Sequence, residues 1–140
     1  MLDPRTIHVA YGHKPKAMIK ELLSAIKVED ELRPEMLIGL KPNLVVSSPA
    51  TNGATTTPEL VAGIIEYLQD RGFNNLIILE GSWVGDSTAR AFQVCGYDEI
   101  SRQYGVPLID LQKNPSVPVQ VNDLELRICR KALEVDYLIN

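Results

Sequence analysis

The sequence has few of the side chains that bind metals or form covalent cross-links. Only two of its 140 residues are cysteines, Cys95 and Cys129, and only two are histidines, His8 and His13. The cysteines lie far apart and in no CxxC spacing, which favours unpaired, buried thiols in a reducing compartment. A zinc ion or an iron–sulfur cluster needs about four ligands. The sequence therefore predicts neither, and we assign no metal site.

Basic residues and long apolar runs are also scarce. Fourteen Lys and Arg residues accompany 18 Asp and Glu residues, so the net charge is −4. A nucleic acid or an anionic membrane as main partner requires a basic surface, and neither is expected here. No apolar run reaches the roughly 18 residues of a membrane span, and the N-terminus has no apolar signal-peptide core. We therefore expect a cytoplasmic protein.

The apolar residues that are present predict the fold class. Continuous apolar runs are typical of strands buried on both faces, whereas apolar residues at helical spacing indicate amphipathic helices. The predicted strands are residues 7–10, 36–40, 76–79 and 106–111. The predicted helices cover residues 16–27, a segment from Thr57 and Pro58 to Gly72, residues 86–92 and residues 98–104. This β-α-β-α-β-α-β order indicates an α/β fold with a mainly parallel sheet flanked by helices.

The last third of the chain has a different pattern. Residues 117–121 and 124–128 alternate apolar and polar side chains around Asn122 and Asp123, which predicts a C-terminal antiparallel hairpin on a two-residue turn. Residues 135–139 are one more buried-strand candidate. We expect a single α/β domain over residues 1–140, and we interpret the stop after a core-type strand as the N-terminal part of a larger domain.

Polar residues follow each predicted strand. Ligands of open parallel sheets bind at the carboxyl ends of the strands, so these residues are expected to share one rim of the sheet. In chain order they are Tyr11, Gly12, His13 and Lys14, then Lys41 and Asn43, then Glu80, Gly81 and Ser82, and last Asp110. His8 falls inside the first predicted strand and is expected to be packed.

The connection after the second predicted strand is too long for a plain connector. It spans residues 41–57, whereas about 2–6 residues are usual. We predict ligand contacts from Lys41 as a point charge, from Asn43 as a hydrogen-bond partner, and from the hydroxyls of Thr55 and Thr56 beside the following helix N-terminus. The alternatives are a lysine that extends its stem at a strand end, an asparagine that closes a turn and, in place of the threonine contacts, an Asn-Gly turn followed by a helix cap at Thr57.

Glu80 and Ser82 are the other two predicted ligand-binding residues. Glu80 suits a metal ligand or a general base, or alternatively an ion pair with a neighbouring lysine. If Asp110 lies beside Glu80, the two carboxylates suit magnesium. Trp83 is expected to be partly buried, as a packing or dimer contact or as a pocket wall. Because no Walker loop, GxGxxG, HExxH or nucleophile elbow is present, no catalytic residue is assigned.

Five segments, taken in order, carry a family resemblance. They read KPNLV, ATTTPELV, ILEGS, GY followed by YGVPLIDL, and ALEVDYLIN. Over about residues 37–140 the chain resembles the domain-of-unknown-function family 362, which is found mostly in bacteria and archaea. The resemblance implies that longer members carry a ferredoxin-like domain with a 4Fe-4S cluster. This chain lacks a four-cysteine motif, so cluster binding is not carried over to it.

These observations support one leading hypothesis and two alternatives. The leading hypothesis is an α/β domain, in a redox-linked protein, that binds a small anionic or carbonyl-bearing ligand. The first alternative is a non-catalytic docking module for a ferredoxin-like domain. The second is a chain that forms a homodimer through an exposed apolar edge. The sequence assigns no cofactor and no reaction.

Overall fold

The computed structural model describes residues 5–140. The strands in this range are β1 (Ile38–Leu40), β2 (Leu76–Glu80), β3 (Leu108–Asp110), β4 (Ser116–Val121), β5 (Leu124–Cys129) and β6 (Tyr137–Ile139). The α-helices in the same range are α1 (Pro15–Ile26), α2 (Pro58–Gln69), α3 (Thr88–Val94), α4 (Tyr97–Tyr104) and α5 (Arg130–Leu133). Short 3-10 turns lie at Val28–Glu31 and Ala50–Asn52.

A four-stranded sheet in the order β3-β2-β1-β6 forms the centre, and each neighbouring pair is parallel. Every residue of β1 and β2 is buried, as their continuous apolar runs predicted. The main core joins strand residues such as Leu40 and Ile78 to helix residues such as Ile65 and Leu68 of α2. With the separate β4–β5 hairpin, this arrangement confirms the predicted α/β fold.

Helices α1 and α2 pack closely because α2 has a glycine at the contact. A Cβ atom added to Gly63 would lie 2.5 Å from Ile19 Cγ2 and 2.9 Å from Lys16 Cα. Any larger side chain would therefore push α1 away from α2. The two helices thus form a tight pair beside β1.

A charged cluster joins α1 and α2 to α4. The carboxylate of Glu66 accepts hydrogen bonds from Lys16 Nζ at 2.7 Å, from Lys20 Nζ at 2.6 Å and from the Tyr104 hydroxyl. These three bonds lower the pKa of Glu66 to about 2. The bond from Lys16 has the largest effect, followed by those from Lys20 and Tyr104. The cluster fixes the relative positions of three helices at their solvent side.

Helix α2 begins and ends close to where the sequence predicts. Thr57 occupies the N-cap position, but its side chain makes no capping hydrogen bond, so that part of the prediction is wrong. At the other end, Gly72 has a φ of 88°, and the Phe73 N–H donates to Leu68 O at 3.0 Å. A left-handed glycine followed by such a bond is the expected end of a helix.

The predicted strand at residues 7–10 is wrong. These residues form no strand; Ile7 is 88% exposed and His8 is also exposed rather than packed. Both sides of β1 are already paired, with β2 on one side and β6 on the other. The strand predicted at residues 135–139 is present as β6, which takes the remaining position beside β1. It is only partly buried, with Leu138 50% exposed, so the predicted burial is wrong.

The predicted hairpin is confirmed with its register. Val121 pairs with Leu124 around a turn in which Asn122 has a φ of 53°, and β4 and β5 form a two-stranded sheet of their own. One face carries six aliphatic side chains: Val117, Val119, Val121, Leu124, Leu126 and Ile128. We call this set the hairpin apolar face. Within residues 5–140, no helix is long and apolar enough to cross a membrane.

Candidate functional site

The carboxyl ends of the parallel strands carry most of the residues singled out in the sequence. Two loops leave this rim: the long loop, residues 41–57 after β1, and the short loop, residues 81–87 after β2. The register places Glu80 directly beside Asp110 on the adjacent strand. Residues 11–14 do not belong to the rim, because no strand precedes them. His13 is exposed and lies just before α1.

The carboxylate of Glu80 is buried and accepts three hydrogen bonds. Its Oε2 accepts from the Leu44 N–H at 3.0 Å and from Lys41 Nζ at 3.3 Å, and its Oε1 accepts from the Gly81 N–H at 2.7 Å. Glu80 is only 3% exposed. The structure thus contains the ion pair with a neighbouring lysine, and this pair connects the long loop to the end of β2.

Lys41 is held at the rim from two sides. Its backbone N–H donates to Ile139 O at 2.8 Å, and its ammonium group is paired with Glu80. The side chain remains 33% exposed. An ammonium group has three N–H donors, and Glu80 uses one of them. Lys41 is therefore a positioned cation with donors left for a ligand.

The threonines and the asparagine of the long loop bind other parts of that loop. The Asn43 N–H donates to Thr56 Oγ1 and the Thr56 N–H donates to Asn43 O, both at 2.9 Å. The Asn43 side chain donates to Ala54 O at 3.0 Å, and the Thr55 hydroxyl donates to Ser48 O at 2.8 Å. The two ends of the loop are therefore tied together, and the loop is a compact structure in its own right.

Ser82 connects the short loop to the long loop. Its hydroxyl donates to Leu44 O at 2.6 Å, and its backbone N–H donates to Thr88 Oγ1 at 3.0 Å. The Trp83 N–H donates to Val45 O at 3.0 Å, yet the Trp83 side chain is 60% exposed. Trp83 is thus more exposed than the sequence led us to expect, whereas Ser82 is buried.

Two further residues position the short loop, and sequence reasoning missed both roles. The sequence places Asp86 only at the start of a predicted helix, but it accepts from the Ser47 N–H at 2.6 Å and the Ser47 hydroxyl at 2.8 Å. The Ser47 N–H bond, followed by that of Ser87, lowers the pKa of Asp86. Gln112 donates to Ser82 O at 3.0 Å. No sequence motif predicts the role of Gln112, because its partners are backbone groups.

Asp110 is the one rim carboxylate with an unsatisfied oxygen. Its Oδ1 accepts from the Gln112 N–H at 2.9 Å. Its Oδ2 is buried and has no hydrogen-bond partner among residues 5–140; Lys113 Nζ lies 3.8 Å from it. In the same range, no three His, Cys, Asp or Glu side chains are grouped to hold a metal ion. Glu80 and Asp110 thus form a neighbouring pair without a third ligand.

A cavity of about 310 Å³ opens beside Lys41. It lies between the ends of β1 and β6 and the helices α1 and α2. Its apolar wall consists of Ile19, Leu40, Pro42, Leu60, Val61, Ile64 and Ile139. Its polar lining consists of Lys41, Asn43, Thr56 and Asn140. We call it the rim cavity. It brings together three of the six predicted ligand-binding residues, whereas Thr55, Glu80 and Ser82 do not line it.

The two cysteines lie away from the rim cavity. Both are unpaired thiols. Cys95 is buried and donates to Ser48 O at 3.1 Å, whereas Cys129 is half-buried and donates to Leu111 O at 3.1 Å. Cys95 therefore fits the predicted buried thiol, and Cys129 is more exposed than predicted.

Comparison with known proteins adds the family. The family model described as "Domain of unknown function (DUF362)" matches residues 38–140. The matched range contains both loops and every residue lining the rim cavity except Ile19. The family resemblance seen in the sequence is confirmed. No curated protein and no solved structure matches the chain.

Proposed function

Because the chain belongs to this family, which is described as a domain of unknown function, we propose a function from its geometry: it binds a small anionic or carbonyl-bearing ligand in the rim cavity. The observation that carries the proposal is the position of Lys41 at this cavity. A mostly apolar cavity with a few convergent polar groups is the usual form of a small-molecule site. Its location at the carboxyl ends of parallel strands agrees with the general rule for such sheets.

Lys41 supplies the contact to the anion or carbonyl oxygen. Glu80 fixes its ammonium group, so that little side-chain entropy is lost when a ligand binds. The apolar wall excludes water, which strengthens a hydrogen bond from a cation. Asn43 and Thr56 lie at the polar side of the same cavity, where the hydroxyl proton of Thr56 is available to a second ligand oxygen.

In this proposal the remaining predicted residues act on the loops. Glu80 positions Lys41, Ser82 joins the short loop to the long loop, and Thr55 closes the long loop on itself. None of the three lines the rim cavity. They are therefore positioning residues, and the contacts to the ligand are assigned to Lys41, Asn43 and Thr56.

The test is a calorimetric titration of the purified chain with acetate and with inorganic phosphate. Replacement Lys41→Met should weaken anion binding by tenfold or more, because a hydrogen bond to a charged group contributes about 1.5–3 kcal/mol. Lys113→Met is the matched control, since Lys113 follows β3 on the same rim but is 74% exposed and does not line the cavity. A folded Lys41→Met protein with unchanged affinity would show that the lysine has no such role.

A second candidate function is docking of a ferredoxin-like domain, and the hairpin apolar face favours it. Leu124 at the hairpin end is 66% exposed and Leu126 is 44% exposed. Contiguous exposed apolar patches on soluble proteins commonly mark interaction surfaces. A Leu124→Glu and Leu126→Glu double variant should lose binding to the ferredoxin-like domain of a longer family member and keep anion binding. Loss of self-association in sedimentation would instead indicate a homodimer.

A further inference from the structure

We infer that the ligand of the rim cavity is an aliphatic monocarboxylate of about six to eight carbons. The inference rests on the proposed function and names the chemical class of the ligand. Its basis is the contrast between an aliphatic wall and a polar lining that contains one basic side chain, Lys41.

The wall of the rim cavity is suited to a hydrocarbon chain. Ile19 from α1, Leu60 and Ile64 from α2, and Ile139 from β6 surround it, with Leu40 from β1. Burying a polar ligand group against such side chains without a partner is costly. Burying a methylene group there is favourable by about 0.8 kcal/mol. The ligand therefore places its polar end outward and its hydrocarbon end between the helices and the sheet.

The charge in the polar lining favours a monoanion. Among residues 5–140, Lys41 is the one basic side chain that lines the rim cavity, and it is already paired with Glu80. A dianion such as phosphate would place its second charge near the Glu80 carboxylate, where like charges repel. A single carboxylate matches the donors that Lys41 has left, and its second oxygen can accept from the Thr56 hydroxyl.

The size and composition of the cavity set the remaining limits. An apolar protein cavity of about 150 Å³ holds the six non-hydrogen atoms of benzene, so about 310 Å³ accommodates roughly ten to twelve such atoms. No aromatic side chain among residues 5–140 lines the cavity, so there is no stacking surface for an aromatic ring. An unbranched chain of six to eight carbons with its carboxylate fits these limits.

The experiment is a calorimetric series with acetate, butanoate, hexanoate and octanoate, with phosphate and 1-hexanol as comparison ligands. Each added methylene should tighten binding about fourfold, which is 0.8 kcal/mol converted to affinity, and the gain should level off near eight carbons. Hexanoate should bind more tightly than both phosphate and 1-hexanol. Leu60→Gln should flatten the chain-length dependence, whereas Leu133→Gln, at an exposed position outside the cavity, should leave it unchanged.

The outcomes separate this inference from the proposed function. If acetate and phosphate bind through Lys41 but longer chains bind no better, the carboxylate class is overturned and the proposed function remains. If no anion binds, both fail. If hexanoate binds a folded Lys41→Met protein as tightly as the wild type, the lysine does not recognise the carboxylate and the inference is overturned. Lys41→Arg keeps the charge beside Glu80 and should retain the chain-length dependence even if Lys41→Met fails to fold.

Discussion

The parallel sheet and the β4–β5 hairpin both consist largely of aliphatic residues, yet they bury them very differently. Ile78 at the centre of the sheet is 0% exposed, whereas Leu124 in the hairpin is 66% exposed. Strands β1 and β2 are buried on both faces. The hairpin apolar face, by contrast, is half exposed. Continuous apolar runs thus mark the structural core, and alternating runs mark an element with one face left for contact.

This difference separates the part of the molecule that supplies stability from the part that is exposed for contact. An isolated two-stranded hairpin is marginally stable in water, so the sheet and its helices must supply most of the free energy of folding. The rim cavity lies at the boundary of the well-packed region, where β1 and β6 end. In the proposed function, a ligand there would contact Lys41, whose backbone N–H donates to Ile139 O at the end of the sheet. The hairpin instead offers a surface that can be altered with little loss of stability.

The largest expected effect is at the centre of the sheet. Replacement Ile78→Ala should lower the free energy of unfolding by about 2–5 kcal/mol, because it removes buried methyl groups and leaves a cavity. Chemical denaturation monitored by circular dichroism gives this value. Ile7→Ala is the control at an 88% exposed position and should change stability by less than about 0.5 kcal/mol. Equal losses in the two variants would contradict the assignment of the core.

The next effect concerns the buried carboxylate between sheet and loops. Glu80→Ala should lower the free energy of unfolding by about 1–3 kcal/mol, because the buried Leu44 N–H loses its acceptor. It should also weaken anion binding, since Lys41 loses the group that positions it. Glu80→Gln keeps an acceptor oxygen and should cost less in the same denaturation experiment. If the alanine and glutamine proteins unfold identically, the hydrogen bonds to Glu80 contribute little.

A smaller effect is expected from pH at the helix cluster. The pKa of Glu66 is lowered from 4.5 to about 2 by Lys16, Lys20 and Tyr104. Its contribution to stability is therefore fully present above about pH 4.5 and is lost as the pH falls towards 2. Because the lysines are 43% and 36% exposed, we expect a loss of about 1 kcal/mol or less. Chemical denaturation of the wild type and of Glu66→Gln across this pH range measures the effect, which is the difference between their free energies of unfolding.

That difference between the two proteins is also the control. Glu29 and Asp86 have lowered pKa values as well and titrate in both proteins, so their contributions cancel. If the wild type and Glu66→Gln lose stability in parallel between pH 4.5 and 2, the cluster does not stabilise the packing of α1, α2 and α4.

The sequence predicts those parts of the fold that depend on local pattern. The strand at residues 76–79, the end of α2 at Gly72 and the hairpin turn at Asn122 follow from runs, caps and turn residues. The strand predicted at residues 7–10 has a pattern similar to that of β6. Only the choice of partner beside β1 distinguishes the two, and that choice depends on contacts far apart in the sequence.

The candidate site shows the same division. Rules for strand ends bring Lys41 and Asn43 to the rim, and the structure places both at one cavity with Thr56. They do not reveal that Ser82 and Thr55 hold backbone groups of the loops. Nor do they reveal the bonds of Asp86 with Ser47, 39 residues away, and of Gln112 with Thr88, 24 residues away. Hydrogen bonds to backbone groups require no particular partner residue and therefore leave no mark in the sequence.

The smallest effect on stability is expected at the hairpin apolar face. Leu124→Ser replaces a 66% exposed side chain at the end of the hairpin, so it should change the free energy of unfolding by no more than about 0.5 kcal/mol. Val121, its cross-strand neighbour, keeps the register because the Asn122–Asp123 turn is unchanged. Chemical denaturation measures the effect beside that of Ile78→Ala. A loss comparable to that of Ile78→Ala would mean that the hairpin apolar face is covered in solution, and sedimentation of the wild type would then show whether a second copy covers it.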